Sequence, residues 1–235
     1  MKQLVTLVLS LMVSVAAQAK EATIQAKFRT FSVDGAIAEM YCASENGPQK
    51  VSAPARRRSE AVKYKGQKLL KFYRTAAEAE LAETTPMAQV LLNPQYKNPL
   101  LVFLKRPGTK GQFVIKQIQD EPNGFSNGSM KFMNLCSHPI MMKVGQKGER
   151  MIRIKPFEVV KHTLPRDFKG NLPVVMAAKT KTGTQLLINT RVFPNQSVRD
   201  IYFISPRPNG GKRSKVKIST LRERGDVANM LLSTL

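Results

Sequence analysis

The sequence predicts a mostly β protein: two small β-sandwich domains of immunoglobulin-like type in tandem, with one short connecting helix in the first, behind a cleaved signal peptide. Three observations carry that expectation. Short runs of alternating apolar and polar residues recur along the chain, turn formers separate them, and one alanine- and glutamate-rich stretch alone has the marks of a helix. About 215 residues remain once a leader is removed, which suits two domains of about 100 residues each.

The first element is the leader, 1–19. MKQ supplies a short positive start, and LVTLVLSLMVSVAA at 4–17 is apolar but for Thr and Ser. AQA at 17–19 then puts small residues where a signal peptidase reads them, so cleavage falls after Ala19. The run is shorter than the roughly 20 residues that cross a bilayer. No later stretch is apolar enough to span one. The expected protein is therefore periplasmic or extracellular, with no integral membrane segment after cleavage.

The first domain is expected over 20–121. Its strands are read at 22–33, 36–42, 61–65, 68–73, 87–92, 99–104 and 112–118. In AIAEMYCAS, Ala36, Ala38, Met40 and Cys42 share one face, because a strand sends successive side chains to opposite sides. RTAAEAELAETTP, 74–86, is the helix. Thr75 followed by Glu78 has the form of a capping box, Ala and Glu favour the helix, and Pro86 stops it.

DEPNGFSNG, 120–128, is rich in turn formers and marks the boundary. The second domain, 122–221, carries strands in MKFMNL, PIMMKV, RMIRI, FEVVKH, PVVMAAK, TQLLINTRV, RDIYFI and SKVKIS. LLVFLKRPGTKGQFVIKQI (100–118) lies without a gap over LLINTRVFPNQSVRDIYFI (186–204), which predicts an internal repeat of two hairpins. The tail, 222–235, places Val227, Met230 and Leu231 on one helical stripe.

Reactive chemistry is sparsely marked. Cys136 and His138 stand two positions apart, but Pro139 imposes an extended or turn conformation on His138, and Cys136 shares a strand face with Met130, Phe132 and Asn134. Zinc needs three or four ligands, and the only other histidine is His162. One bridge between Cys42 and Cys136 is permitted in an oxidising compartment. The chain has no phosphate-cradling glycine loop and no G-x-S-x-G elbow. The expectation is a protein that is not an enzyme, with no catalytic, cofactor-binding or metal-ligating residues.

Charge is the functional signal. Lys and Arg number 38 against 16 Asp and Glu, a formal +22, and such a field gathers anions. The candidate anion-binding residues are Arg56, Arg57, Arg58, Lys63 and Lys65 in one basic segment, and Arg207, Lys212, Arg213, Lys215 and Lys217 in another. Expected partners are an anionic polysaccharide, lipid head groups or an envelope protein. Nucleic acid is disfavoured: there is no Trp, and most of the 5 Tyr and 11 Phe fall in strands, leaving no stacking platform. The alternative expectation is a chaperone-like or assembly module that binds a partner protein by strand addition.

Overall fold

The computed structural model describes residues 23–81, 84–106, 108–121, 124–145, 151–165, 168–180, 183–211 and 214–224. The expected signal peptide lies outside the described residues, as does 225–235 of the expected tail. Residues 222–224 of that tail are not helical; they complete the last strand.

Among the described residues, sixteen strands and one short helix follow in order. In the first half these are β1 (Thr23–Ser32), β2 (Ile37–Ser44), β3 (Gly47–Ala53), β4 (Val62–Gln67), β5 (Leu69–Tyr73), α1 (Ala76–Glu80), β6 (Ala88–Leu91), β7 (Pro99–Lys105) and β8 (Phe113–Gln119). They form two four-stranded sheets, ordered β4-β1-β7-β8 and β3-β2-β5-β6. The alternating residues Met40, Cys42, Leu70 and Phe72 of one sheet meet Phe28, Leu101 and Phe103 of the other in a single core.

The second half repeats the plan with β9 (Ser129–Asn134), β10 (Ile140–Val144), β11 (Met151–Ile154), β12 (Val159–Thr163), β13 (Leu172–Thr180), β14 (Gly183–Val192), β15 (Val198–Gly211) and β16 (Ser214–Arg224). Its sheets are ordered β12-β9-β15-β16 and β11-β10-β13-β14. Each strand of the first half thus has a counterpart eight places on, including the parallel pairs β1 with β7 and β9 with β15.

Two sequence expectations change here. The order is not immunoglobulin-like, since that fold puts its second and third strands in different sheets, whereas β2 and β3 pair directly as a hairpin. The repeat is real in topology but displaced. Residues 100–118 do form the hairpin β7–β8, but 186–204 spans β14 and β15, which belong to different sheets. The counterpart of β7–β8 is β15–β16. Two apolar runs flanking a turn look alike in sequence whether the turn closes a hairpin or crosses between sheets.

A third core joins the halves. Phe31, Leu100, Val102 and Ile118 project from the outer face of β4-β1-β7-β8 onto Met133, Ile201, Phe203 and Leu221 of β12-β9-β15-β16. Phe31 and Phe203 stack with ring centroids 5.1 Å apart. The four sheets therefore form a continuous stack, and the two middle ones are covered on both faces. That is why β7 (PLLVFLK) and β9 (SMKFMN) are buried through nearly their whole length instead of alternating. Phe125 of the connecting segment is sealed into the same core.

The helix is shorter than the 74–86 predicted. Half of the expected capping box forms: Glu78 N donates to Thr75 Oγ1 at 3.2 Å, while Glu78 Oε2 accepts at 2.9 Å from Arg74 N, one residue before the cap. It buries no residue, so no packing prolongs it past one turn.

Candidate anion-binding clefts

A change of partner along β1 opens a cleft. Thr23 to Phe28 pair with β4 on one side, from Thr23 opposite Gln67 to Phe28 opposite Val62. The parallel ladder with β7 starts only at Arg29, opposite Leu100. Before that point β7 does not exist, because Asn93, Pro94 and Pro99 turn the chain away and neither proline has an N–H to offer a ladder. The sheet is left with a slot beside the first half of β1, a cleft of about 1030 Å³.

Five lysines line this cleft, Lys27, Lys63, Lys65, Lys68 and Lys97, and among the described residues no Asp or Glu does. Its floor is apolar and includes Ile24, Ala26, Tyr64, Leu92 and Pro99. Gly66 shapes that floor: a Cβ there would sit 2.5 Å from the Tyr64 hydroxyl, which instead lies across the glycine and donates to Gln67 O at 2.9 Å. Lys27 stands directly opposite Lys63 across the ladder. Like charges so placed destabilise a sheet, and among the described residues neither has an acidic partner. Lys65 has one, Glu45, at 2.8 Å on the surface.

The other predicted cations are dispersed. Arg56 and Arg57 are exposed on the loop after β3. Arg58, the next residue, does not face solvent; its side chain is 5% exposed and grips Asp120 through two hydrogen bonds of 2.6 and 2.8 Å. It belongs to a buried cluster at the junction of the halves. Arg58 also reaches Glu223 at 3.3 Å, while Arg199 binds Glu223 and donates to Asp120 O at 2.8 Å. Burial opposes the charge on Arg58, but Asp120 and Glu223 hold its guanidinium above the ordinary arginine range. With its side chain withdrawn from solvent and held between two carboxylates, Arg58 is a structural cation.

Lys131 enters the same cluster from β9, donating to Gln119 O, with its ammonium 4.5 Å from the Phe125 ring centroid. Burial, first, then the neighbouring cations Arg199, Lys161 and Arg58 push its pKa down to about 8, against the pull of Asp120.

Arg207 and Lys217 line a second cleft of about 620 Å³, where the edges of β14 and β16 approach. Arg191 and Arg222 join them, but Arg222 is committed to Asp200 by two 2.8 Å bonds. Lys215 is exposed on the same strand as Lys217, with Val216 buried between them as the alternation predicts. Lys212 and Arg213 lie outside the described residues. The two basic segments thus serve two clefts that share no lining residue. Lys27, Lys68 and Lys97 were not among the predicted ligands; the prolines at 94 and 99 were the signal that a slot would open beside them.

Cys136 and His138 do not form a site. Asn134, itself fully buried, shapes the bend by accepting from Cys136 N at 2.8 Å and donating to His138 O at 2.9 Å. The bend sends Cys136 into the second core and leaves His138 exposed. Cys42 lies in the first core, and both thiols are free. Burial pushes Cys42 up to about 12 and Cys136 up to about 11, so neither supplies a thiolate near neutrality. Among the described residues no group of three or more His, Cys, Asp or Glu could hold a metal ion, and no helix is long and apolar enough to cross a membrane. Comparison of the chain with protein-family models and with curated proteins finds no match.

Proposed function

We propose that this is an exported, non-enzymatic binding protein of the periplasm or cell exterior that takes an extended anionic polymer into the cleft beside β1. The observation that carries this reading is the set of five lysines around one apolar slot with no acidic side chain in its lining among the described residues. Lys27 against Lys63 is a local cost to the sheet that an anionic ligand would offset. The overall +22 charge would speed the arrival of such a ligand. Lysine suits the task because it supplies point charge on a flexible stem and needs no fixed geometry from the polymer.

The test is a titration of fluorescent polygalacturonate and polyglutamate by the full chain, read by anisotropy. Binding should weaken at least about tenfold between roughly 50 and 200 mM salt, as released counterions drive it. Replacing Lys27, Lys63, Lys65, Lys68 and Lys97 with Gln should remove most of that salt dependence. A salt-independent isotherm, or a five-glutamine variant that binds both polymers as the wild type does, would overturn the proposal.

A further inference from the structure

We infer that the anionic polymer accepted beside β1 is an acidic polypeptide segment that binds as an added β-strand; this rests on the cleft being the anion site. The inference comes from the direction of the backbone in β1. Thr30 N donates to Ser59 Oγ, Ser59 N donates to Thr30 O, and Ser32 N donates to Pro54 O, so the even-numbered residues face the β4 side. Val33 N donates to Phe103 O, so the odd-numbered residues face the β7 side. Strand alternation carries that parity back along the chain. The N–H and C=O groups of Gln25 and Lys27 therefore point into the slot, and β7 begins too late to reach them.

An unpaired strand edge flanked by an apolar floor and cations recognises one kind of ligand well. A strand laid beside β1 would set its side chains alternately on the two faces of the sheet. On the core face they would meet Ile24 and Ala26; on the outer face they would meet Gln25 and Lys27, with Lys63 and Lys65 one strand further across. A segment alternating apolar and acidic residues fits both faces at once. A polyuronate satisfies the lysines and can offer hydroxyls, but it has no backbone of regularly spaced N–H and C=O groups to form a ladder with this edge.

The experiment compares a short peptide alternating Glu with Val against oligogalacturonate of equal charge. The peptide should bind at least tenfold tighter. Two isomers of that peptide, N-methylated at odd or at even positions, separate the modes, because alternate amides face opposite edges of a strand. One isomer should fall to the affinity of the oligogalacturonate while the other keeps most of the parent's affinity. If both isomers bind like the parent and the salt dependence persists, strand addition is overturned while the anion site stands. If the five-glutamine variant binds the peptide normally, the anion site fails as well.

Discussion

At the scale of single residues, the molecule uses its cations in two opposite ways. Arg58 and Arg199 are withdrawn from water and neutralised by Asp120 and Glu223, whereas Lys27 and Lys63 are left facing each other at the surface of a cleft. Lys131 falls between these cases. Its folded pKa, about 8, is below its ordinary value of 10.5, so between those limits the unfolded chain binds the extra proton. Burying the charged form therefore costs stability below about pH 8, and that cost fades as pH rises toward 10.5. The stability of the wild type relative to Lys131→Met should therefore increase from pH 8 to pH 10.5 in urea titrations, since the methionine variant lacks this proton. A difference that stays flat or falls would show that Lys131 is not desolvated.

At the scale of elements, the helix gives a clean expectation. Thr75→Ala removes the bond from Glu78 N and should cost about 1 kcal/mol in chemical denaturation, with no change in polymer binding. That cap was legible because its two residues are three apart. Most strands were legible for the same local reason, since their period sits within a few residues. β3 was missed: GPQKVSA has Pro48, Gln49 and Lys50 before Val51 and Ala53 turn inward, too few apolar residues to establish alternation. The candidate site was half legible. Lys63 and Lys65 stand out on one strand, but Lys27 and Lys97 come from distant segments and meet them only because β1 changes partners. The burial of Arg58 was hidden for a similar reason. Its acids, Asp120 and Glu223, lie far along the chain, and nothing in PARRRSE distinguishes the third arginine from the exposed two.

At the scale of the whole molecule, the third core decides how the halves behave. Because Phe31, Leu100 and Val102 of one half are fully covered by Phe203, Ile201 and neighbours of the other, neither half can unfold without exposing apolar surface on its partner. Calorimetry should therefore give a single transition. Phe203→Ala, which empties the stacked position, should cost about 3–5 kcal/mol and lower that transition as one; two separated transitions in the wild type would contradict the shared core. The ion cluster at the same junction constrains relative rotation further, since Arg58 bridges acids from both halves.

The late arrival of β7 has a consequence for biogenesis. Arg29 waits for Leu100, on the order of 70 residues later, before the centre of its sheet can close, and Met130 waits similarly for Asp200. Long-range parallel pairing of this kind is slow. A nascent chain emerging N-terminus first therefore displays Phe28 and Phe31 without cover for most of the first half's synthesis, and its yield depends on how well that interval is shielded from self-association.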